Sequence, residues 1–261
     1  MKLISMNSLR LSRMCPSSQI NVSGLSPKQK SVLLKILKRK QEIEKFGGHK
    51  YKIFPEEGPL AYNKYPRHME FFRSGSLYKE RLFLAANRVG KSLAGAYEVA
   101  CHLTGDYPDW WEGRVFDSPS EWWVAGSTTV TTRDAPQKEL IGTPSDIGSG
   151  MIARNLIIKM TPKHGTANAV DEVWVRHMPT GGTSRIGFKT YDQKRRAFEG
   201  TAKHGVWFDE EPPADVYNEA LLRTMTTKGI VMTTLTPMQG LTDFIVQFQD
   251  TAQSYTEAVD S

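Results

Sequence analysis

The stretch Leu82–Ser92, LFLAANRVGKS, constrains this chain more than any other. Leu82, Phe83 and Leu84 form the short apolar run of a buried strand. Ala85, Ala86, Asn87, Arg88, Val89, Gly90, Lys91 and Ser92 then follow the phosphate-binding pattern G-x-x-x-x-G-K-[ST], with Ala85 standing for the first glycine. Leu93, Ala96, Val99, Ala100 and Leu103 continue at helical spacing to Thr104, marking one apolar face. Strand, tight loop and helix in succession make an anion site, because the first helical turn offers unpaired N–H groups and a partial positive charge. Gly90 lets the backbone approach a phosphate, Lys91 reaches β- and γ-phosphates, and the Ser92 hydroxyl suits Mg²⁺. Ala85 is the one departure, since alanine resists the positive φ that glycine allows.

Two later runs supply complementary chemistry. Gly205–Phe208 is apolar and ends in Asp209, Glu210 and Glu211. A carboxylate at a strand tip holds Mg²⁺ through water beside a phosphate loop, a role that falls to Asp209. The next carboxylate, Glu210, is placed to orient or deprotonate an attacking water; Glu211, which leads into Pro212-Pro213, is the alternative. Gly229–Leu235 is a further buried run, with Thr233 and Thr234 near its C-terminal end. Ligands of open α/β sheets sit at the carboxyl ends of the strands. Either threonine is therefore a candidate γ-phosphate sensor, although threonine is also simply a good strand residue.

The rest of the chain is less specific. Residues 1–24 read as a poorly ordered leader. A helix is expected over 26–46, opened by Ser26, Pro27 and Gln29 as a capping box. Its stripe is Val32, Leu33, Ile36, Leu37 and Ile43. Lys35, Lys38, Arg39 and Lys40 make a basic flank, either solvated or turned to nucleic acid or a partner. Residues 47–62 are broken by glycine and proline and read as a connector. In 63–81, Tyr65 and His68 are candidates to contact a nucleotide base; alternatively Met69, Phe71 and Phe72 pack a helix on the sheet with Tyr65 and His68 at its edge. Glu121–Gly126 reads as a strand followed by a Ser/Thr-rich loop over 127–132. Residues 134–168 are mixed, with a break at Thr161-Pro162, and 172–178 and 184–190 form a hairpin.

Composition narrows the classes. A chain of 261 residues, 39% hydrophobic, can bury one substantial core. Its net charge of +6 fits a nucleic-acid partner without requiring one. Cys15 and Cys101, the only cysteines, leave no zinc cluster or disulfide framework to expect and suit a reducing cytoplasm. No apolar run approaches the ~18 residues of a membrane span.

Taken together, ANRVGKS, FEGTAKHGVWFDEEPP and MTTLTPMQGLTDFIVQF resemble the large terminase subunit of tailed bacteriophages, the ATP-driven motor that packages DNA. The P-loop carries an arginine, Arg88. Phe198-Glu199-Gly200 precedes the acidic strand, and a Thr-rich strand is followed by Thr-Pro and an aromatic helix. The segment YPRHMEFF is similar to the family's adenine-binding region but lacks the glutamine often found there. The resemblance covers 55–250.

It implies an α/β fold, a RecA-like P-loop NTPase core with a central, mostly parallel sheet flanked by helices. This ATPase domain would occupy 63–250, with the N-terminal helix and connector over 25–62 and a tail over 251–261. ATP and Mg²⁺ are the implied cofactors. A ring of identical subunits, a portal protein, a small terminase subunit and double-stranded DNA are the implied partners, in the cytoplasm of a bacterial host. The DNA would be held mainly by its phosphates, without regard to sequence. Lys91, Ser92, Asp209 and Glu210 carry over as catalytic and metal-binding residues. Arg88 carries over as a cation stabilising transition-state charge, and Thr233 and Thr234 as coupling residues. Large terminases also have a nuclease domain; this chain stops at Ser261, so no nuclease activity is expected of it. A truncated prophage remnant that binds nucleotide without motor function and a helicase-like ATPase are the alternatives.

Overall fold

The computed structural model describes residues 26, 28–34, 37, 49–238 and 240–249. The chain divides into two compact units, Met1–Lys45 and Phe46–Ser261. In the first unit, residues 28–34 are helical and open with the expected capping box. The Gln29 N–H donates to Ser26 Oγ at 3.3 Å, and the Ser26 N–H donates to Gln29 Oε1 at 2.9 Å. The leader, all four residues of the basic flank and the tail fall outside the described residues.

The second unit begins with two 3-10 turns, His49–Lys52 and Tyr62–Lys64, then α1 (Pro66–Ser74) and β1 (Glu80–Leu84). The loop leads to α2 (Lys91–Thr104) and β2 (Glu121–Gly126). Next come α3 (Thr129–Thr132), a π turn (Arg133–Gln137) and α4 (Lys138–Ile141), with the short pair β3 (Gly142–Thr143) and β4 (Asp146–Ile147). The unit continues with β5 (Ile157–Pro162), β6 (Val170–Arg176), β7 (Thr183–Thr190), β8 (Gly205–Asp209), α5 (Ala214–Met225) and β9 (Ile230–Leu235). Residues 243–249 are again helical.

The main sheet runs β1-β9-β8-β2-β7-β6-β5. β1, β9, β8, β2 and β7 pair in parallel, and the β6–β7 hairpin and β5 add an antiparallel margin. This is the α/β, mostly parallel, helix-flanked core that the resemblance implies. Its central strands are buried on both faces, so they read as continuous apolar runs. Alternation then assigns the faces. Trp122, Val124, Trp207, Ile230 and Met232 join α2 in one core, while Trp123, Ala125, Val206, Phe208 and Val231 pack with Val216, Tyr217 and Ala220 of α5 in the other.

Four expectations change. α2 is not amphipathic: Ala94 to Thr104 are buried all round, including Glu98 and His102. Arg81 of β1 makes this tolerable, donating to Glu98 Oε1 at 2.5 Å and Oε2 at 3.1 Å, while His102 Nε2 lies 3.2 Å from Glu98 Oε1. The connector 47–62 groups with the ATPase sheet: Phe54 is buried against Phe72 and Tyr97, and the Lys50 ammonium is paired with Asp106. The Ser/Thr-rich loop after β2 turns helical at Thr129, capped by Thr128 and Thr131. Thr161-Pro162 ends a strand, β5, rather than marking a break, because an edge strand accepts proline.

Candidate active site

β1, β8 and β9 end on the same edge of the sheet, so the P-loop, the acidic tip of β8 and the residues after β9 converge there. The Ala85 N–H donates to the Leu235 carbonyl at 3.2 Å, so Ala85 simply prolongs β1 and needs no glycine. The left-handed positions of the loop are Arg88 (φ 62°) and Gly90 (φ 86°). Gly90 is the N-cap of α2, and a Cβ there would lie 3.2 Å from His68 Nε2.

A chain of hydrogen bonds ties the three strand ends together. Trp207 Nε1 donates to Thr234 Oγ1 at 2.8 Å. Thr234 Oγ1 donates to Asp209 Oδ1 at 2.8 Å, and Ser92 Oγ donates to the same oxygen at 2.7 Å. Lys91 is buried and folds back, its Nζ donating to the Ala86 carbonyl at 2.8 Å. Burial pushes the Asp209 carboxyl above its ordinary value, against the hydrogen bonds from Ser92 and Thr234. Burial likewise raises Glu210, with the Asp209 charge adding to it and the Thr236 N–H and Lys91 opposing. Lys91 is lowered by burial, opposed by Glu210 and Asp209.

The two acidic candidates separate. The Glu210 carboxylate accepts from the Thr236 N–H at 3.2 Å and acts electrostatically on Lys91, whereas Glu211 is engaged elsewhere, accepting from Thr242 Oγ1 at 2.9 Å. The two threonines of β9 also separate. Thr234 faces α2 and joins the Asp209 chain. Thr233 points to the other face of the sheet, buried, with no partner for its hydroxyl among the described residues. It therefore does not join Thr234 at the phosphate side; strand alternation decides this, and the parity with Trp207 and Asp209 was available in the sequence. Sequence reasoning missed Thr236. Its hydroxyl donates to Asn87 Oδ1 at 2.9 Å while its N–H holds Glu210, so one residue links the P-loop to the acidic tip.

His68 is buried beneath the loop in an aromatic box, 5.4 Å from Phe54, 5.5 Å from Tyr65 and 5.2 Å from Phe83 between ring centroids. Burial lowers its pKa, opposed by hydrogen bonds with the Val89 and Gly90 backbone. Tyr65 and His68 border a groove of about 1480 Å³ along the free edge of β1, which reaches Ala85 and Val89. Arg88, exposed at the loop tip, makes no side-chain hydrogen bond or ion pair among the described residues.

Among the described residues, no cluster of three or more His, Cys, Asp or Glu side chains gathers for a metal. The Ser92 hydroxyl and Asp209 carboxylate are nevertheless a hard oxygen pair of the kind Mg²⁺ takes, with water and phosphate completing the shell. Nor is any described helix long and apolar enough to cross a membrane.

Residues 82–259, more than half of the chain, match the family described as terminase large subunit, T4likevirus-type, N-terminal. The terminase large subunit of Salmonella phage P22 is 36% identical over 203 residues, covering 70% of this chain and 41% of the relative. The chain thus spans less than half the length of that relative. Among solved structures, a mutant ATPase domain of the Thermus phage P74-26 large terminase aligns at 18% identity over 65% of this chain and 64% of that one, with a TM-score of 0.43. The large terminase of another thermophilic bacteriophage aligns at 12% identity over 65% of this chain and 37% of that one, with a TM-score of 0.45.

Proposed function

This chain belongs to the N-terminal family of T4-like terminase large subunits, and we propose that it is the ATP-hydrolysing motor part of such a subunit, driving double-stranded DNA into a procapsid. The observation that carries the reading is the meeting of Lys91, Ser92 and Asp209 with Glu210 at the carboxyl edge of β1, β8 and β9.

In this reading the triphosphate lies on the N-terminus of α2, where the N–H groups of the loop face it. Lys91 exchanges its bond to the Ala86 carbonyl for one to the β- and γ-phosphates. Ser92 and Asp209 hold Mg²⁺, which when bound neutralises phosphate charge. Glu210 accepts a proton from the attacking water, and its raised pKa makes it a better acceptor than an exposed glutamate. Arg88 adds a cation for the charge of the transition state. The groove beside Tyr65 and His68 takes the base, and Thr234 and Thr236 carry the state of the phosphate site into the segment that follows β9. The motor works as a ring of copies with a portal protein and a small terminase subunit, in the cytoplasm of the bacterial host. The DNA is held through its phosphates.

The test is ATP turnover by the purified chain with Mg²⁺, with and without double-stranded DNA, beside Lys91→Ala and Glu210→Gln. Each variant is expected to lower kcat by roughly 100-fold or more. Turnover equal in all three proteins removes the assignment.

A further inference from the structure

We infer that Tyr191 is a positioning residue for hydrolysis, fixing the Glu210 backbone through its phenol. The inference rests on Glu210 being the base that activates water. Tyr191 lies immediately after β7, outside every motif quoted above, yet its hydroxyl donates to the Glu210 carbonyl at 2.7 Å and lies 3.4 Å from the Asp209 carbonyl. Glu210 needs such a hold. It sits at φ 74°, a left-handed conformation that residues other than glycine, asparagine and aspartate rarely adopt.

Three hydrogen bonds from two segments pin Glu210 there. The Thr234 carbonyl takes its N–H at 2.8 Å, the Thr236 N–H takes its carboxylate at 3.2 Å, and Tyr191 takes its carbonyl. Remove the phenol, and the peptide after Glu210 is free to turn toward ordinary φ. That swings the carboxylate away from the phosphate site without disturbing Lys91, Ser92 or Asp209. The phenol itself is fixed. Its ring packs 6.1 Å from that of Phe208, and the turn carrying it is locked by a capping box in which the Thr190 N–H donates to Gln193 Oε1 at 3.0 Å. Burial and the Asp209, Glu210 and Glu211 charges push the phenol well above its ordinary pKa, so it stays a donor.

The test is steady-state ATP hydrolysis by wild type, Tyr191→Phe, Tyr191→Met and Glu210→Gln, with thermal melting of each. Tyr191→Phe keeps the ring and loses only the donor. It is expected to lower kcat roughly tenfold, with KM for Mg-ATP within about twofold of wild type and a melting temperature lower by only ~2–4 °C, as the loss of one buried hydrogen bond requires. Tyr191→Met is expected to share the kcat loss and to melt earlier still. Wild-type kcat in Tyr191→Phe, with loss confined to Tyr191→Met, overturns the inference and leaves Glu210 standing. A kcat loss in Tyr191→Phe matched by a rise in KM overturns it too. Wild-type turnover that Glu210→Gln does not reduce removes the base assignment and the inference together.

Discussion

Asp209 and Glu210 are held in a form that their surroundings resist. Burial raises the pKa of both and lowers that of Lys91. Hydrolysis needs the carboxylates ionised and the ammonium protonated, so both limbs of the kcat/KM–pH profile should move inward from the ordinary values of the free side chains. The expected outcome is a bell whose acid limb lies above the usual glutamate range, read from kcat/KM, which follows the groups of the free enzyme. The same shifts bear on stability. A carboxyl whose folded pKa exceeds its unfolded one favours folding below the unfolded value, and that contribution is lost as pH rises through the folded value. At neutral pH, ionised Asp209 therefore opposes folding. Asp209→Asn keeps an oxygen for Ser92 and Thr234, so it should abolish turnover while raising Tm by ~2–4 °C at pH 7, a gain that disappears at acid pH.

At the scale of elements, α2 is held by close approach and by one buried charge network. A Cβ on Gly95 would lie 2.4 Å from Trp207 Cε2, so the helix can reach β8 only where it has no side chain. Gly95→Ala should lower stability by about 1–3 kcal/mol in denaturant unfolding, whatever its effect on helix propensity. Arg81 and Glu98 fasten the strand before the loop to the helix after it. Burial alone would push the Glu98 carboxyl up, but the Arg81 charge and the hydrogen bonds from His102 and Arg81 hold it below its ordinary value. Glu98→Gln leaves the Arg81 guanidinium buried without its counter-charge and should cost about 3–5 kcal/mol by chemical denaturation. Thr236 is the third joint. Thr236→Val keeps the N–H that holds Glu210 and loses the bond to Asn87, so kcat should fall severalfold while the melting temperature stays near wild type.

For the whole molecule, the net charge of +6 and the motor reading point to DNA contacts made through phosphate. DNA stimulation of ATP turnover should fall steeply between ~50 and ~200 mM salt and be the same for duplexes of unrelated sequence. A sequence preference, or stimulation indifferent to salt, would count against that contact.

Much of this was legible in the chain itself, and the reasons are local. The P-loop, α2, β2, the β6–β7 hairpin, β8 and β9 carry periods and turn residues that act over a few neighbours, and Lys91, Ser92, Asp209 and Glu210 sit at strand ends or a helix start where local pattern assigns them. What only tertiary structure decided involves distant partners. α2 is buried all round because Arg81 comes to Glu98 from another element, and β5 forms through Pro162 because it lies at the sheet edge. Tyr191 reaches Glu210 from a segment whose own sequence has no reason to mark it, and the Thr-Pro after β9 marks Thr236 without showing that its N–H holds Glu210. Local patterns state which residues can do chemistry; the packing of separated strands decides which of them meet, because a hydrogen bond of 2.7 Å depends on where the backbone of both partners is held.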